Sequence, residues 1–133
     1  VTGMLLLLMT ACQPSDKQQE EQAREKVMAL HDSAMALMSP VNAYSEIMDS
    51  LLGDTTGQYN PVRAARVSQL LERAGQIMWD WMHQFRDPTP GTPHDTVIGY
   101  YHDQQVHIES VYHEMLNALD SAKSFLNQKE RSK

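Results

Sequence analysis

The apolar residues of this chain recur with the period of a helix and nowhere with that of a strand. Val27, Leu30, Ala34, Leu37, Val41, Tyr44, Ile47, Met48 and Leu51 form one stripe, which predicts an amphipathic helix ending at Leu52. Ser39-Pro40 interrupts it. Proline lacks a helical N–H donor and disfavours helix at the residue before it, so a kink or short break is expected there. Gly53 to Tyr59 reads as a turn region, and Asn60 is expected to cap a second helix with Pro61 at its first position. Val67, Leu70, Leu71, Ala74, Ile77, Met78, Trp81, Met82 and Phe85 form its apolar face, which stops at Asp87-Pro88. Asp87 to Pro93 is the clearest loop. Thr92, Pro93 and Asp95 mark the start of a third helix. Its seam is Tyr101, Gln105, Ile108, Tyr112, Met115, Leu119, Ala122 and Leu126, spaced 4-3-4-3-4-3-4 with Gln105 the one polar position. The expected fold is all-α: an antiparallel up-down-up three-helix bundle over residues 27–128 with short connections, followed by a frayed tail, 129–133.

Residues 4–9, Met-Leu-Leu-Leu-Leu-Met, are followed by Thr10, Ala11 and Cys12. A bilayer span takes about 20 apolar residues; this run has the length of the apolar core of an export signal. Residues 1–11 resemble a bacterial lipoprotein signal peptide, with small residues before the cut. Met9 departs from the Leu usual at that position. The chain opens at Val1 without a basic segment, which reads as a truncated gene start. The resemblance implies that Cys12 becomes the lipid-bearing first residue, carrying two or three acyl chains such as palmitate. Stable anchoring needs more than one chain. Gln13, where Asp would retain a lipoprotein in the inner membrane, implies the outer membrane. Residues 12–26 read as a polar tether or helical stalk, with Ser15 and Gln18 spaced as a capping box.

Composition narrows the function classes. The 133 residues carry a formal net charge of -6, which argues against non-specific binding to nucleic acid or anionic lipid. One cysteine excludes an internal disulfide framework and a zinc site built from several thiolates.

Residues 28–38, Met-Ala-Leu-His-Asp-Ser-Ala-Met-Ala-Leu-Met, and 78–85, Met-Trp-Asp-Trp-Met-His-Gln-Phe, resemble a family of small bacterial lipoproteins often labelled "viral A-type inclusion protein". The resemblance runs from about Val27 to Leu126. It implies a helical lipoprotein and brings no catalytic residues with it.

Three of the six histidines are followed by aspartate: His31-Asp32, His94-Asp95 and His102-Asp103. Neighbours on a helix diverge by about 100°, so these are not expected to share a site. Asp103 with His107 and Glu109 with His113 have the spacing to bond across a helix surface. Asp80-x-x-His83 supplies only one half of a di-iron bundle motif. There is no GxSxG, HExxH, P-loop or GxGxxG sequence, so no catalytic residue is assigned and the chain is read as a non-enzyme.

Two features carry the functional expectations. Trp79 and Trp81 cannot both face the core; Trp79 is expected to be exposed, and with Tyr100 to form a surface for other envelope proteins or for a second copy. The alternative is a soft-metal site. Met28, His31, Met35 and Met38 lie on one helix face, and counting along an antiparallel hairpin brings His31 level with Met82 and Met35 level with Met78. Tyr101 and His102 should reach about the same level. Thioethers and imidazole suit copper as Cu(I), and the same Met28, His31, Met35, Met78 and Met82 set would also suit haem. The plain reading of this stripe is core filling by methionine.

Overall fold

The structure, a computed structural model, describes residues 14–54 and 56–131. Three helices make up the fold: α1, Asp16–Leu52; α2, Pro61–Gln84; and α3, His94–Arg131. No strand occurs among the described residues. Contacts between helix ends fix the topology. Ser68 near the start of α2 bonds Asp49 near the end of α1, and Arg63 at the start of α2 bonds Gln128 near the end of α3. At the other end, His94 at the start of α3 meets Glu20 at the start of α1. So α1 and α3 run parallel and α2 runs against both, an up-down-up three-helix bundle.

The helix starts follow from local chemistry. The Ser15 hydroxyl accepts from the Gln18 N–H while the Gln18 side chain accepts from the Ser15 N–H, the reciprocal box expected from spacing. The Asn60 side chain accepts from the Arg63 N–H at 3.1 Å, with Pro61 next to the cap. The third start is set by the turn before it. Pro90 precedes Gly91, whose φ is 89°, and the Thr92 N–H donates to the Thr89 carbonyl at 3.2 Å. Proline then glycine at the two central positions is what a type II turn demands.

The core repeats in sevens. On α1 the buried residues are Val27, Ala34, Val41 and Met48; on α2 they are Ala64, Val67, Leu71, Ala74, Met78 and Trp81. Burying each larger apolar side chain contributes about 1.5–3 kcal/mol. Ile47 and Leu70, expected on the apolar faces, are exposed.

Four expectations are corrected. α1 begins at Asp16, so residues 16–26 are helical and belong to the bundle, with Ala23 packed on the core. Pro40 lies inside a continuous α1, so of the kink or short break expected there the break does not occur. α2 stops at Gln84, where Phe85 turns extended (ψ 131°) ahead of Asp87-Pro88. α3 continues to Arg131, past the point where fraying was expected.

The α3 seam also shifts. Tyr101, Ile108, Met115, Ala122 and Leu119 are buried as expected, but Val111, Ala118 and Phe125 are buried in preference to Tyr112 and Leu126. Gln104 and Gln105 are both half-buried. α3 packs on two helices at once, so its buried stripe is wider than one seam.

The helices differ in length: 37 and 38 residues for α1 and α3 against 24 for α2. At 1.5 Å per residue α2 is roughly 20 Å short. The connections complete the third side of the bundle, and the 85–93 segment lies along the starts of α1 and α3.

Candidate functional site

The residues expected as soft ligands lie on α1 and α2. His31 and Trp81 meet with ring centroids 5.6 Å apart, so the two helices align within one residue of the expected register. His31 is 18% exposed on its side chain and its Nδ1 lies 3.0 Å from an Asp32 carboxylate oxygen. This adjacent pair was not expected to interact; the short Asp32 side chain folds back along the helix to reach the ring. The carboxylate accepts, so Nδ1 carries the hydrogen and Nε2 the lone pair. No other described side chain bonds the ring.

Met28 and Met35, one turn either side of His31, are half-buried, as is Met82 beside Trp81. Met78 is fully buried in the three-helix core and serves packing. His102 does not join: it is 73% exposed and faces Asp103 at 3.7 Å. Tyr101 lies further towards the start of the bundle, against Asp87.

Trp81 has stacking partners on the aromatic side and none for its N–H. Its ring stacks on Phe85 at 5.0 Å besides His31. Its Nε1 is buried with no hydrogen-bond partner. An unsatisfied buried donor costs about 1–3 kcal/mol, so phenylalanine would fill this position more cheaply.

The predicted contact surface divides. Trp79 is 48% exposed and its ring neighbour is His83, at 6.3 Å. Tyr100 turns inward, packing on the core and on Phe85 and Tyr101. Its hydroxyl accepts from the Arg86 N–H at 3.0 Å. Trp79 therefore stands without Tyr100 as an exposed anchor. The half di-iron motif is spent locally, Asp80 on Gln76 and His83 on the Trp79 carbonyl. Asp103–His107 and Glu109–His113 form no ion pair. Among the described residues no three His, Cys, Asp or Glu side chains gather as a metal site. Cys12 lies outside the described residues.

A polar lock at the start of the bundle was not foreseen. Arg24 grips Asp87 with two bonds, Nε at 3.0 Å and Nη2 at 3.2 Å. The Tyr101 hydroxyl donates to the same carboxylate at 2.9 Å. The Arg24 bonds hold the Asp87 carboxyl below its ordinary pKa, against burial and with help from Tyr101. Asp87 in turn raises Arg24. Burial first, and then donation to Asp87, pushes the Tyr101 phenol up to about 12. Beside this, His94 bonds Glu20 at 2.9 Å with Asp16 at 4.0 Å, and the Glu20 bond raises its pKa. The sequence signal was the 4-4 ladder Asp16, Glu20, Arg24 on one strip of α1. These bonds border a cavity of about 220 Å³ lined also by Lys17, Thr89 and Val97. A larger open groove, about 550 Å³, runs between α2 and α3 past Arg66, Leu70 and Ser121.

Compared with family models, curated proteins and solved structures, the chain matches none of them.

Proposed function

We propose that the chain is a lipid-anchored, non-catalytic module of the bacterial cell envelope, working by contact with other envelope proteins or with a second copy. The single observation that carries the contact reading is Trp79. It is nearly half exposed on a helix whose other tryptophan is fully used in the core. Exposed tryptophan is among the commonest anchors of protein interfaces.

The anchoring part rests on the likeness of residues 1–12 to a lipoprotein signal and on Gln13, which favours the outer membrane. No described helix is long and apolar enough to cross a membrane, so attachment would fall to lipid on Cys12. Because α1 starts at Asp16, only residues 13–15 would separate the lipid from the bundle. The end carrying Arg24, Asp87 and His94 would then sit against the headgroups.

Mass spectrometry of the mature N-terminus tests the anchor: the expected product starts at an acylated Cys12, and an unprocessed N-terminus in a competent host refutes it. A photocrosslinking amino acid at position 79, compared with one at exposed Val106 on α3, tests the surface. Specific adducts at 79 alone are expected; equal labelling at both positions removes Trp79 from the argument.

A further inference from the structure

We propose that the α1–α2 seam binds a soft monovalent metal ion, Cu(I) in the envelope, through His31 Nε2 and the thioethers of Met28, Met35 and Met82, under the face of Trp81. This reading is independent of the contact surface around Trp79.

Three observations converge on it. First, the Asp32 carboxylate fixes the His31 tautomer from 3.0 Å, leaving Nε2 as the lone-pair nitrogen. A carboxylate on the far nitrogen is the usual support of a metal-bound imidazole, where it sets orientation and raises basicity. Second, Met28 and Met35 lie at i−3 and i+4 from His31, the two spacings that bring helix side chains together. Both are half-buried, as is Met82 across the seam. A thioether on an unbranched chain reorients without disturbing the backbone, and thioether with imidazole is the donor set that selects Cu(I).

Third, the Trp81 ring lies 5.6 Å from the His31 ring and tilted 35° to it. Indole is the best aromatic face for a cation, which accounts for tryptophan at a position where its N–H finds no partner.

The test uses the full chain with Cys12→Ser, so that the only thiol does not compete. Cu(I) is titrated against a chromogenic chelator while tryptophan fluorescence is followed, with Ag(I) as a redox-inert probe in parallel. One equivalent should bind and quench the emission. His31→Ala should weaken binding at least 100-fold. Asp32→Asn, which acts only through His31, should weaken it roughly 10-fold. Trp81→Phe should retain one-to-one binding and lose most of the quench. Met28→Leu with Met35→Leu keeps side-chain volume and so keeps the fold; it should weaken binding even if His31→Ala proves unstable. No binding above the chelator background, or equal affinity in the Met28/Met35 variant and the parent, overturns the site.

Discussion

Removing the Asp87 carboxylate should loosen the start of the bundle by about 2 kcal/mol, and the Arg24 share of that cost should be present only where the carboxylate is ionised. The figure comes from two unequal parts. Arg24 and Asp87 are 38% and 46% exposed on their side chains, and pairs this open contribute about 0.2–1 kcal/mol. The Tyr101 hydroxyl belongs to a residue that is only 5% exposed, and leaving such a donor unpaired costs about 1–3 kcal/mol. The neighbouring cavity admits water, which holds the sum near the lower end. Asp87→Ala loses both parts, Arg24→Met the smaller alone, at about 0.5 kcal/mol. The pH dependence follows from the depressed Asp87 pKa. A carboxyl held below its unfolded value stabilises the fold above that value, and the contribution is lost as pH falls through the folded-state value. Urea unfolding of parent and Asp87→Ala should therefore show the full gap near neutral pH and a smaller one once the pH has fallen through and below the ordinary carboxylate range. A cost under about 0.5 kcal/mol, or a gap unchanged in acid, would refute the lock as drawn.

His94 should behave oppositely. Its pKa is raised by Glu20, so its contribution is complete below the ordinary value and lost as pH rises through the raised one. The stability gap between parent and His94→Gln should be widest in mild acid and close in mild alkali; a gap constant across that range would remove the Glu20 bond as its cause. Pro40→Ala should stabilise, since it restores a donor inside a continuous helix. Interior proline costs about 3 kcal/mol, offset by about 1 kcal/mol of unfolded-chain stiffness. A gain of about 1–2 kcal/mol in urea unfolding is expected, and a loss would mean that the proline ring is itself a packing element.

The bundle was legible because its signals were local. Ser15 with Gln18, Asn60 with Pro61, and Leu52 before Gly53 each stop or start a helix through neighbours in sequence, and each boundary lies where those residues place it. The α3 seam was ambiguous for a physical reason. Val111-Tyr112, Ala118-Leu119 and Phe125-Leu126 are apolar doublets, so two phases of the repeat read equally well until a second helix selects one. The polar residues 16–26 looked like a stalk because their partners, Asp87 and His94, lie 63 and 74 positions away. Counting along a hairpin puts His31 level with Met82, one residue from the Trp81 it meets, because the α1–α2 register is held by regular helix on both sides. Asp32 was missed because backbone direction was allowed to stand for side-chain reach.

The parallel run of α1 and α3 has a consequence for how the chain acquires its shape. α1 packs more extensively on α3 than on α2, although α2 follows it directly. A nascent α1–α2 hairpin therefore presents Val27, Ala34, Val41 and Met48 half covered, waiting for residues such as Met115 and Phe125 near the far terminus. Pairing across such separations is slow relative to hairpin closure. The polypeptide thus completes its fold only once α3 is present, and a truncation ahead of His94 leaves an adhesive two-helix fragment in place of a smaller stable domain.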